Sequence, residues 1–263
     1  MGKLCRYNYI DKNALKGILV LFCILTFLTG CAASDKSDVS QEPANEETDS
    51  ESPRVDFAKL KSENGDIFAW ISVPGTRIDY PVCQSLDGDD SFYITHNALK
   101  EEDPKGAIYT ESANLTNMCD FNEVLHGSSP GDGTMFADLQ NFLDRKYFEE
   151  HKLIYVFTED NALAYYIFAA FPRSNTRLLE LYDFTYASGC QNFLDEIYDE
   201  KSMNKLVRDG WEHAVTPENF IITLSTQNRD DPSRQTVVVG CLVGDASGTI
   251  DREMDYSDPE SDW

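Results

Sequence analysis

Seven cysteines, four histidines and two acidic clusters carry the widest chemical range in this 263-residue chain. Cys83, Cys119, Cys190 and Cys241 are too scattered for a zinc site, because no pair has the CxxC spacing that lets two thiolates meet one ion. As disulfides they allow three connectivities, none favoured by spacing, and the preferred reading is four small buried apolar groups. Cys241 lies in Val237-Val238-Val239-Gly240-Cys241-Leu242-Val243, a nearly unbroken apolar run whose desolvation raises a thiol pKa and disfavours it as a nucleophile. His96, His151 and His213 lack a second ligand at metal spacing. Asp87-Gly88-Asp89-Asp90 and Glu101-Glu102-Asp103 lack the alternating order of an EF-hand loop and read as solvated loop charge. No metal or cofactor is implied.

The side chains that remain sit in an acidic body. Lys and Arg number 22 against 46 Asp and Glu, and the formal net charge is −24. Residues 1–30 hold four of the bases and one of the acids, so the remainder carries 18 bases against 45 acids. Such a surface repels phosphate backbones, and nucleic-acid binding is excluded from the expected functions. A 12% aromatic content is too rich for a chain disordered throughout.

The basic residues Lys3, Arg6, Lys12 and Lys16 precede an uncharged run, ILVLFCILTFL, at 18–28, and Thr29-Gly30-Cys31 follows. This layout predicts a signal peptide over 1–30. As a helix, the 11-residue run spans only about 16 Å, roughly half a bilayer's hydrocarbon core. The small residues before Cys31 resemble a lipoprotein lipobox, in which the cysteine is acylated and the chain is cut before it. An uncleaved anchor with an incidental Cys31 is the alternative. Either places the rest outside the cytoplasm, tethered to a membrane. Residues 31–54 are expected as an acidic disordered tether, with seven acids and one base between 32 and 53. Residues 245–263, again with seven acids and only Arg252, are expected as an acidic disordered tail. One domain is left, at 55–244.

Eight short runs rich in Val, Ile, Tyr and Phe read as strands: 69–73, 78–82, 107–109, 123–125, 154–157, 164–171, 221–224 and 236–243. Helical spacing occurs at 56–63, 135–148 and 190–207. A mainly β domain with peripheral helices follows, closed as a barrel more readily than doubly wound.

The run Trp70-Ile71-Ser72-Val73-Pro74-Gly75-Thr76-Arg77-Ile78-Asp79-Tyr80-Pro81-Val82 resembles the early segment of class B sortases. The resemblance continues through Lys105-Gly106-Ala107-Ile108-Tyr109, Gly131-Asp132-Gly133-Thr134-Met135-Phe136, Ile221-Ile222-Thr223-Leu224-Ser225-Thr226 and Arg234-Gln235-Thr236-Val237-Val238-Val239-Gly240, in order over nearly all of 56–244. It implies a sortase-type eight-stranded β-barrel with added helices at the N-terminus and before a late strand. It also implies a Gram-positive cell-surface transpeptidase fold acting on sorting-signal peptides or cell-wall proteins.

The family's chemistry uses a cysteine after a Leu-Ser-Thr-like strand end, a histidine in a Tyr-Gly-His-Asn-like segment and an arginine opening the Val-Val-Val strand. Thiolate attacks, imidazole moves protons and guanidinium stabilises the oxyanion. Here the cysteine position is Gln227 and the histidine position, in His126-Gly127-Ser128-Ser129, is Ser128; Arg234 is retained. An amide cannot form a thioester, and a serine hydroxyl cannot shuttle protons near neutrality. The expectation is a catalytically inactive pseudoenzyme, lipid-anchored through Cys31, serving as a peptide-binding or accessory module, with an active sortase as a candidate partner. The alternative is an active transpeptidase or hydrolase with a relocated nucleophile: Ser225 and His126 lie two residues before Gln227 and Ser128, on the same side of extended strands.

Overall fold

The apolar runs become strands because each has one or both faces to bury. In the computed structural model, which describes residues 55–199 and 204–257, nine strands form one sheet. They are β1 (Ile67–Ser72), β2 (Asp79–Cys83), β3 (Ile108–Tyr109), β4 (Asn122–His126), β5 (Leu153–Thr158), β6 (Ala162–Ser174), β7 (Leu206–Val207), β8 (Ile221–Gln227) and β9 (Arg234–Asp245). Their order is β5-β1-β2-β3-β4-β8-β9-β6-β7, and a further β5–β6 pairing closes eight of them into a barrel, with β7 outside the ring on β6. The eight expected runs are those eight barrel strands. Closure leaves the ring without a free edge.

Alternation sorts the side chains. Leu125, Ile222, Leu224 and Val238 point into the barrel core with Ile71, Phe136 and Ile154. Val124, Ile221, Val237, Val239 and Cys241 point outward into a second core, covered by Phe193, Leu194 and Ile197 of a helix at Ala187–Asp199. Burial on both faces is why the β9 run reads as continuously apolar. Gly240 keeps an inward notch: a Cβ there would lie 3.0 Å from Tyr165 Cβ and 3.3 Å from Ile154 and Ile222.

Among the described residues the α-helices are α1 (Phe57–Glu63), α2 (Arg145–Glu150), α3 (Leu178–Leu181) and α4 (Ala187–Asp199). Asp56 caps α1 by accepting from Lys59 N at 3.0 Å. The helix expected at 135–148 is instead a 3-10 segment, Ala137–Leu143, followed by α2. Asp144 breaks it, with extended backbone and a carboxylate that accepts from Tyr147 N at 2.9 Å. The helix expected at 190–207 is α4, shifted to start at Ala187; residues 206–207 belong to β7, because they add to the edge of β6 at Ala169 and Ala170. Buried Arg208 then ties β6 to α2, donating to Ile167 O at 2.9 Å, Phe148 O at 2.8 Å and Glu149 at 2.8 Å.

The acidic tail expected from 245 differs in its first part. Residues 245–257 lie against the barrel: Ile250 packs on the inner core, Met254 on the outer one, and Asp255 O accepts from Ala187 N at 2.7 Å. Arg252 lies over the rings of Phe121 and Phe220, at 5.1 and 4.9 Å from their centroids. The signal peptide expected at 1–30, with Cys31, the tether to 54, and residues 258–263 lie outside the described residues. Among the described residues, no helix is long and apolar enough to cross a membrane.

Candidate functional site

Two parallel strands bring Ser128 and Gln227, the positions that motif order matches to the family's histidine and cysteine, to one edge of the barrel. β4 and β8 pair from Asn122↔Ile221 to His126↔Ser225, so both chains leave the sheet on the same side. Gly127 follows β4 and donates to Ser225 O at 3.1 Å. A Cβ at Gly127 would fall 2.5 Å from Ile108 Cδ1 and 2.8 Å from the Phe136 ring, so only glycine lets the chain pass here.

Ser128 comes next. Its hydroxyl donates to Lys105 O at 2.6 Å, and its carbonyl accepts from Phe136 N at 2.9 Å. The loop beyond is held by charge. Lys105 Nζ lies 2.6 Å from Asp132, whose carboxyl is held low by Lys105 and then by Thr134. Arg77 reaches Asp138 at 3.1 Å and Asp132 O at 3.1 Å.

Gln227 ends β8 exposed. Its side-chain amide donates to Pro232 O at 3.3 Å, and its carbonyl accepts from Gln140 of the 3-10 segment at 2.8 Å. Gln140 also accepts from Thr236 Oγ1 at 3.0 Å and Arg229 N at 3.2 Å, pinning the β8–β9 connection. Asn228 N donates to Arg234 O at 2.9 Å, which places Arg234 opposite Asn228, one step beyond the Gln227↔Gln235 register pair. The Arg234 guanidinium donates to Pro172 O at 2.6 Å. Ser128, Gln227 and Arg234 thus share one rim of the barrel.

The displaced pair behaves differently. Ser225 and His126 are register partners, yet the buried Ser225 hydroxyl donates to Gln235 Oε1. Gln235 in turn donates to Ser174 O and Thr176 O, each at 2.9 Å. His126 Nε2 faces Glu111 Oε1 at 3.3 Å, an ion-pair distance without hydrogen-bond alignment. Arg177 Nε approaches the same oxygen at 3.5 Å. Burial alone would raise the Glu111 carboxyl, but contact with His126 and the charges of His126 and Arg177 outweigh it and hold the group below the usual range.

Glu111, Arg177, Gln140 and Gln235 are site residues that sequence reasoning missed. Glu111 follows the quoted Lys105-to-Tyr109 run by two residues, which is the one sequence signal near it. The four cysteines Cys83, Cys119, Cys190 and Cys241 are all free. Burial pushes the thiols of Cys83, Cys190 and Cys241 up to about 12, and raises that of half-exposed Cys119. None of the first three is a thiolate near neutrality.

No protein-family model matches the chain. Among curated proteins, sortase B of Listeria monocytogenes is 28% identical over 195 residues, covering 72% of this chain and 75% of the relative. Sortase B of Staphylococcus aureus is 31% identical over 195 residues with the same coverage. Among solved structures, a mutant form of Clostridium perfringens sortase B superposes with a TM-score of 0.63 at 29% identity, covering 72% of this chain and 86% of that one. The S. aureus sortase B–substrate complex gives 0.61 at 29% identity, covering 71% and 83%. Closed barrel, helices before β1 and β8, motif order and a 31% identical relative agree: the chain belongs to the class B sortase family.

Proposed function

We propose that this sortase family member is an extracytoplasmic, lipid-anchored protein that holds a peptide at the barrel rim without turning it over. The observation that carries this reading is the pair of replacements, Gln227 for the nucleophile and Ser128 for the base, the latter with its hydroxyl committed to Lys105 O. Hydroxyl, amide and guanidinium groups at Ser128, Gln227 and Arg234 suit a peptide carbonyl or carboxylate. A substrate complex is known for the S. aureus relative, which supports a sorting-signal peptide or cell-wall protein as the ligand class here. An accessory role beside an active sortase of the same Gram-positive surface is consistent with binding without chemistry.

The test of inactivity is covalent. Thiol-directed and serine-directed acylating probes are expected to leave residues 225–227 unlabelled, as read by peptide mass mapping. An adduct on Ser225 would instead favour the relocated nucleophile, for which the His126–Glu111 contact is the supporting observation. The anchor has its own test. Cys31→Ala is expected to release the protein or leave the precursor uncut, whereas unchanged mass and membrane fraction would favour an uncleaved anchor.

A further inference from the structure

Glu111, His126 and Arg177 come from three separate elements: the segment after β3, the end of β4 and the residue before α3. They meet on the outer face of the barrel, two residues from Ser128, with the Tyr109 ring 5.3 Å from the imidazole. Neither the missing chemistry nor the packing of the two cores accounts for this cluster.

Its members differ sharply in burial. The Glu111 side chain is 6% exposed and that of His126 17%, whereas Arg177 is 40% exposed. Arg177 also has a second partner, Glu180, at 3.7 Å, itself 65% exposed. Removing the cation from a buried carboxylate leaves a charge that water cannot reach, which is costly. Removing the carboxylate from a half-exposed arginine costs little, since water and Glu180 replace it. Glu111 therefore stays and Arg177 is the group that leaves. The group that takes its place is a cation, because a neutral one would leave the buried carboxylate short of a counter-charge and an anion would repel it. The net charge of −24 draws cationic ligands toward the molecule.

We infer that Glu111 is the specificity-determining residue of the peptide site, and that a basic side chain of the bound peptide, lysine or arginine, displaces Arg177 and pairs with Glu111 beside His126. Arg177 is then the internal stand-in for that side chain and closes the site while no ligand is present. This deepens the peptide-holding reading and rests on it.

The test uses single blocked amino acids and the full-length chain in detergent solution. With four histidines in the sequence, the His126 ring proton is assignable by NMR through substitution of the others. Nα-acetyl-arginine amide is expected to shift that resonance saturably, and Nα-acetyl-glutamine amide and Nα-acetyl-glutamate amide are not. In Arg177→Ala, half-saturation is expected at a concentration about fivefold lower, the most that a half-exposed ion pair supplies as a competitor. In Glu111→Gln, the shift should vanish. Equal shifts from the neutral probe would overturn the basic specificity while leaving a peptide site in place. A saturable arginine shift together with no binding of sorting-signal peptides would support the role of Glu111 and refute the peptide-holding reading. An unchanged midpoint in Arg177→Ala, or an undiminished shift in Glu111→Gln, overturns the inference.

Discussion

Glu123→Gln is expected to stabilise the protein, and increasingly so as pH rises. Glu123 is 1% exposed and shares the inward face of β4 with Leu125, Val124 between them pointing outward. One oxygen accepts from Asp120 N at 3.2 Å, and the other is buried with no hydrogen-bond partner. Burial first, and the nearby Asp120 charge second, push the carboxyl well above its usual range. The folded protein then holds a neutral acid at pH values where the unfolded chain has released the proton. A group raised in this way contributes stability that is fully present below the ordinary carboxylate pKa and is lost as pH rises toward the folded value. The loss approaches about 1.4 kcal/mol per pH unit. Glutamine has the same shape, keeps an acceptor for Asp120 N and never ionises.

The comparison isolates one residue. Glu111 and Asp138, both held low by cationic partners that outweigh their burial, contribute with the opposite sign, and do so equally in both proteins. Urea unfolding at pH 5 and pH 8 should show the variant's advantage widening toward pH 8. Parallel pH profiles for the two proteins would mean that Glu123 is ionised in the folded state. The Tyr165 hydroxyl inside the same barrel is likewise buried without a hydrogen-bond partner, and burial pushes its ionisation up. Tyr165 lies over the notch at Gly240, in line with Ile222 and its register partner Glu123. Buried polar groups of this kind are rare in folded proteins, and each carries a measurable cost.

The barrel was legible because its strands advertise themselves: eight runs of Val, Ile, Tyr and Phe between turn residues, each buried on at least one side. What failed to show was short or non-local. β7 contributes two residues and exists through pairing with Ala169 and Ala170, so no periodicity precedes it. The 135–148 pattern has its apolar residues at helical spacing, but Asp144 turns the chain and starts a new helix, a capping choice that the hydrophobic pattern does not encode. The acidic tail suggested solvation by composition. Ile250, Arg252 and Met254 hold it in place, and three residues among many acids are hard to weigh before their partners are known.

At the site, motif order singled out Ser128, Gln227 and Arg234, because the flanking residues match the family's motifs, and the fold brings all three to one rim of the barrel. Motif order could not reveal the partners. Ser128 with Lys105, Gln227 with Gln140 and Glu111 with Arg177 are contacts between loops distant in sequence. The same limit applied to the relocated pair. Spacing set Ser225 and His126 on one side, and the fold makes them register partners, but the hydroxyl is directed to Gln235 and the imidazole to Glu111.

In acyl-transfer enzymes, loss of either nucleophile or base costs on the order of 10⁶-fold in rate, and the two act as a unit. With Gln227 and Ser128 proposed at those two positions, the purified full-length protein is expected to cleave fluorogenic sorting-signal peptides of the S. aureus and L. monocytogenes relatives no faster than buffer does. The background should be the same in Ser225→Ala and His126→Ala. Gln227→Cys alone and Ser128→His alone should be as inert as the parent. Measured turnover by the unmodified protein is the direct test. A rate indistinguishable from buffer, unchanged by either alanine substitution, is the predicted result. Cleavage that is present in the parent and abolished in Ser225→Ala or His126→Ala would contradict it, and would make this protein a serine-dependent enzyme on a sortase barrel.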